Sequence, residues 1–112
     1  MLDSVVSKIV ALGVPGLVLL VAMAATGWAG GAAIVTALAI LGGPLGMLGG
    51  IALLGVMVLI SHALAKYGFR KIFEACVRRF EAQGMSKEEI LRRIARYPIS
   101  KDLKLRISQL LQ

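Results

Sequence analysis

Hydrophobic and polar positions divide this chain at a single point. From Ile9 to Ala65, 57 consecutive positions carry no Asp, Glu, Lys or Arg, whereas beyond Lys66 charged and apolar residues interleave. One bilayer crossing needs only about 20 apolar residues. The first part therefore predicts an all-α, membrane-embedded, Gly/Ala-rich hairpin region over 1–66. The second predicts a small basic helical mini-domain over 67–112.

Glycine and proline punctuate the apolar part. Ser4 to Thr26 reads as one helix kinked at Pro15, or as a helix that restarts there. The first alternative spans about 35 Å and the second only about 18 Å, too little for a bilayer. The spacing leaves both open. "GWAGG", Gly27 to Gly31, is a break, with Trp28 suited to a membrane–water boundary. Ala32 to Leu41 is too short to span alone and suits a re-entrant helix or the first arm of a hairpin. A helix starting at Pro44 and running to Lys66 covers about 22 residues, or about 33 Å, the best candidate for a full span. Tyr67, Lys66, Arg70 and Lys71 supply the aromatic and cationic anchor expected at its end.

Beyond Gly68 the period is that of surface helices. Phe69, Ile72, Phe73, Cys76, Val77 and Phe80 form one apolar stripe, and Gly84 is placed to end it. Ser86 and Glu89 have capping-box spacing ahead of Ile90, Leu91 and Ile94. Pro98 stops that helix. Ser100 is a suitable cap for a last one carrying Leu103, Ile107, Leu110 and Leu111 on one face.

Small residues change the picture of the apolar part. Between Ile9 and Ala65 there are 11 glycines and 12 alanines. Gly42, Gly46 and Gly50 are spaced by four, with Gly49 and Ala52 nearly on the same face. In lipid such a face lets helix backbones approach closely, so these five are the candidate helix-packing residues. They fit an intramolecular hairpin or self-association.

Composition and charge narrow the function. Apolar residues make up 58% and charged residues 17%, with a mean hydropathy of +0.83; soluble domains carry about 25% charged residues. The net charge of +7 lies entirely beyond Ala65. Lys66, Arg70, Lys71, Arg78 and Arg79, just past the candidate span, are topology and lipid-headgroup candidates. The positive-inside rule places the C-terminal region in the cytoplasm, at the inner membrane. Arg92, Arg93 and Arg96 are candidates for docking a protein partner. Nucleic acid ranks last, because acidic residues are interleaved and no recognition motif is present. "AMA", Ala22 to Ala24, loosely matches a signal-peptide cleavage site, but the leading segment has one basic residue and an aspartate, which argues against cleavage.

Reactive groups are sparse. The glycines of "GMLGGIALLG" lack the Lys and Ser/Thr that a phosphate loop requires. His62 has no carboxylate or cysteine at ligand spacing. Ser61 and His62 are helix neighbours that point about 100° apart. Cys76 lies on an apolar stripe, and one cysteine forms no internal disulfide. Glu88 and Glu89 suit a helix N-terminus. No catalytic, metal or cofactor site is expected.

The stretch "ILGGPLGMLGGIALLGVMVLISHALAKYGFRKIF", Ile40 to Phe73, resembles the central and C-terminal helices of circular bacteriocins. The matching features are Gly42, Gly43, Gly46, Gly49 and Gly50, then Ala65, Lys66, Gly68, Arg70 and Lys71. The resemblance implies a compact saposin-like helical globule that inserts into bacterial membranes and permeabilises them. It covers 34 of the 112 residues. The chain continues past Phe73 with a charged, capped third that the family does not have.

The sequence thus favours a non-enzymatic membrane protein that inserts and self-associates, as a pore-forming or permeabilising effector. A small membrane anchor whose C-terminal helices dock a protein is the alternative. A globule that buries its apolar helices until triggered is the third reading.

Overall fold

A computed structural model describes residues 2–26, 46–97, 99 and 101–112, with the side chains of 26 and 46–54 left aside. Helices and the short turns between them make up the described residues, with no strand among them. They form α1 (Leu2–Ala11), α2 (Val14–Thr26), α3 (Gly46–Tyr67), α4 (Phe69–Ala82), α5 (Lys87–Ala95) and α6 (Lys101–Leu111).

The first apolar segment is two helices. Leu12 closes α1 through its N–H to the carbonyls of Lys8 and Ile9, and Gly13 follows with φ +80°, a left-handed conformation that glycine adopts without Cβ strain. Pro15 then sits in the first turn of α2, where its missing N–H costs nothing. Of the two sequence alternatives, the restart holds. At 10 and 13 residues, α1 and α2 reach only about 15 and 20 Å. Among the described residues no helix is long and apolar enough to cross a membrane; of α3, which covers most of the expected span from Pro44 to Lys66, only the side chains of 55–67 are described.

α2 is the centre of the molecule. Leu17 through Met23 are seven successive residues, each no more than 3% exposed. A helix that is apolar on every side must be covered on every side, and α2 packs against each of the other described helices. α1 is amphipathic instead. Val5, Val6, Ile9 and Val10 face inward while Asp3, Ser4, Ser7 and Lys8 face out. The described side chains of α3 bury Met57, Ile60 and Ala63, spaced by three, and leave Val58 and His62 exposed.

The stripe expected on α4 is buried from Ile72 to Phe80, with Phe69 half-buried at its start. Its end is a full Schellman motif: the Met85 N–H donates to the Phe80 carbonyl at 3.0 Å and the Gly84 N–H to Glu81 at 3.0 Å, with Gly84 at φ +93°. Met85 is also packed against the core. Ser86 caps α5, its Oγ accepting from the Glu89 N–H at 3.2 Å. The Glu89 carboxylate lies toward Arg92, 3.5 Å away. On α6, Ile107 and Leu111 are buried and Leu103 is half-buried, but Leu110 is 38% exposed. Leu110 therefore leaves the face it was expected to share. The face that packs on α2 and α5 is only wide enough for the 103, 107 and 111 row, spaced by four.

The division at Lys66 is one of charge. The buried residues form one apolar cluster running from Val5 to Leu111. No polar or charged side chain is buried among the described residues. Trp28, Ala32 to Leu41, Gly42, Gly43, Pro44, Pro98 and Ser100 lie outside the described residues.

Candidate functional site

The basic residues past α3 do not form one cluster. Lys66 and Lys71 flank Tyr67, with Nζ 5.4 and 5.8 Å from the ring centroid. This is within cation–π range, and it gathers two ammonium groups at the α3–α4 corner. Gly68, with φ +87°, makes that corner possible. Arg70 and Arg78 lie along the outer side of α4 with Glu74 and Glu81. There they rim a groove of about 460 Å³ floored by Phe69, Phe73, Val77 and Leu111. The Phe69 and Phe73 rings are 5.4 Å apart. Arg79 is held differently, with its guanidinium donating to Ser7 Oγ at 3.1 Å and so clasping α4 to α1. Of the five candidates, four remain directed to solvent or groove and Arg79 is committed to the fold.

The three docking candidates come together. Arg92, Arg93 and Arg96 line an open depression of about 420 Å³ with Glu89 and Tyr97. Their positions at i, i+1 and i+4, with Tyr97 four beyond Arg93, put all of them on one side of the last turn of α5. Lys104 approaches the same helix end from α6, its Nζ donating to the Ala95 carbonyl at 2.9 Å. A cation there complements the partial negative charge of the helix C-terminus. Tyr97 is half-buried. Burial raises its phenol pKa, with the Arg93 charge pulling the other way, so it remains a neutral hydroxyl at neutral pH. Sequence reasoning named the three arginines but missed Tyr97 and Lys104. The spacing of Tyr97 from Arg93 was visible; the fold-back of α6 that delivers Lys104 was not.

The helix-packing candidates are only partly within view. Gly46, Gly49, Gly50 and Ala52 lie on the backbone of α3. Their surroundings, like Gly42, lie outside the described residues. Cys76 is fully buried, and burial pushes its thiol up to about 12, against the lowering effect of Arg79. It acts there as a small apolar side chain. His62 is exposed, and no group of three or more His, Cys, Asp or Glu side chains that could hold a metal ion occurs among the described residues.

Neither the known protein families, nor curated proteins, nor solved structures contain a match to this chain.

Proposed function

We propose that the protein is a non-enzymatic, membrane-active helical globule that sheathes its most apolar helix until it meets an anionic bilayer. The observation that carries the reading is α2: seven consecutive residues at 3% exposure or less, inside a shell whose outer surface holds the net positive charge. A wholly apolar helix is stable in two surroundings, a protein core or lipid. In the globule α2 has the first. A bilayer offers the second without loss of apolar burial, and a surface of net charge +7 draws the globule to anionic headgroups.

In this reading Lys66, Arg70 and Lys71 make the first headgroup contacts at the α3–α4 corner. α1, held across α4 by the Arg79–Ser7 hydrogen bond, swings away, and the apolar part enters the hydrocarbon. There the small-residue face of Gly42, Gly46, Gly49, Gly50 and Ala52 supports close helix contact, with another copy or within a hairpin. The expected result is permeabilisation, the activity that the resemblance to circular bacteriocins also implies. The membrane is then the inner one, with residues 67–112 on its cytoplasmic side.

The test is dye release from vesicles, with purified protein added to phosphatidylglycerol-containing and to phosphatidylcholine vesicles. Release from the anionic vesicles alone is expected. Intact vesicles of both kinds at saturating protein would overturn the reading. A second reading, an adaptor that docks a protein through residues 67–112, is favoured by the gathering of Arg92, Arg93 and Arg96 around one depression. It predicts no release and a partner lost on charge reversal at those arginines.

A further inference from the structure

We propose that the last turn of α5 is a binding site for a phosphomonoester dianion, with Arg92, Arg93 and Arg96 as its cationic wall and Tyr97 as a hydroxyl donor. The first support is shape: these residues and Glu89 enclose an open depression of about 420 Å³, ample for a phosphate group and its ester oxygen.

The second support is charge. Three arginines within five residues repel one another across i, i+3 and i, i+4 spacings. The helix terminus offsets about half a charge, and Lys104 has already taken the Ala95 carbonyl there. Glu89 offsets one charge, through Arg92 at 3.5 Å. Arg93 and Arg96 have no carboxylate within ion-pair distance among the described residues. Four cations against one carboxylate and one helix end leave an excess of about two and a half charges. A carboxylate ligand would leave most of it unmet, whereas a phosphomonoester carries about −1.5 to −2 at neutral pH.

The third support is the donor set. Guanidinium groups present planar forks of N–H donors that pair bidentately with phosphate oxygens. Tyr97, half-buried, lines the same depression and brings a phenol O–H to the donor set.

The inference deepens the membrane reading, and rests on it only for the source of the ligand. A phosphomonoester headgroup at the bilayer surface is one source and a soluble phosphate ester the other. The same site takes either.

The experiment uses the full chain. Binding is measured to vesicles containing phosphatidic acid, a monoester, and to phosphatidylglycerol vesicles, a diester, matched for surface charge; inorganic phosphate is titrated separately. The double variant Arg93→Gln with Arg96→Gln is compared with Lys87→Gln with Arg106→Gln, which removes the same charge elsewhere. All four of these side chains are exposed, and thermal melts confirm folding of each variant.

Phosphatidic acid is expected to bind about tenfold more tightly than phosphatidylglycerol, the worth of one added charge-assisted hydrogen bond. That preference should vanish in the Arg93/Arg96 variant and survive in the Lys87/Arg106 variant. Phosphate titration that saturates and is lost only in the Arg93/Arg96 variant, without a headgroup preference, supports the site and assigns it a soluble ester. Equal loss in both double variants, or no preference and no saturable phosphate binding in the wild type, overturns it. Dye release from phosphatidylglycerol vesicles is followed in the same variants. Release that persists while both the monoester preference and saturable phosphate binding are missing sinks this site and leaves the membrane reading standing.

Discussion

Gly16 lies in the first turn of α2, directly beneath the end of α1. A Cβ built there would collide with the Ile9 carbonyl oxygen and lie 3.0 Å from the Leu12 Cβ. The obstacle is backbone, which cannot rotate away as the tip of a side chain can. Overpacking of this kind costs about 1–3 kcal/mol, and alanine's helical advantage over glycine returns about 0.5–1 kcal/mol. Gly16→Ala should therefore destabilise the protein by about 1 kcal/mol, lowering Tm by about 4 °C at about 4 °C per kcal/mol. Gly55 is the control: it is helical, and a Cβ there meets nothing within 4 Å. Gly55→Ala should raise stability by about 0.5–1 kcal/mol. Circular dichroism melts of both variants against wild type are the assay. If Ser4 to Thr26 were one continuous helix, no chain would lie over Gly16, and Gly16→Ala would stabilise about as much as Gly55→Ala. A Tm equal to or above wild type would refute the folded-back junction of α1 and α2.

Other expectations follow from particular residues. Ser86→Ala removes the side-chain cap of α5 and should cost about 1 kcal/mol, read from the urea midpoint. Cys76 has its pKa raised from 9.0 to about 12. Its contribution to stability is then full below about pH 9 and is lost as the pH rises toward 12, because the unfolded thiol ionises first. Urea titrations across that range should show wild type losing stability faster than Cys76→Ala, and parallel curves would count against its burial. Gly46→Leu with Gly50→Leu should abolish dye release while leaving vesicle binding intact. Undiminished release would remove the small-residue face from the account.

Where the residues carry their own punctuation, the fold was legible. The stripe from Ile72 to Phe80, the stop at Gly84 and the cap at Ser86 each follow from a local rule, and each stands in the structure. The role of α2 was not legible, because lipid and protein core select the same side chains. Length was the discriminating signal: a 13-residue apolar helix is better suited to a core than to a span. It became decisive only once Gly13 was seen to break the chain. Leu110 departs from its expected face because helix periodicity marks an apolar sector but not how wide the partner surface is. The arginine depression was half legible. Arg92, Arg93, Arg96 and Tyr97 are neighbours by spacing alone, while Lys104 arrives through the tertiary packing of α6 on α5.

The central claim, that α2 exchanges a protein core for lipid, is tested most directly at Ala24, an exposed residue near the end of that helix. An environment-sensitive fluorophore is attached to Ala24→Cys in a Cys76→Ala background, and vesicles carrying nitroxide-labelled acyl chains are added. A blue shift and quenching are expected with anionic vesicles and neither with neutral ones. Emission that stays water-like and unquenched, while the protein is bound and the vesicles leak, would contradict the claim.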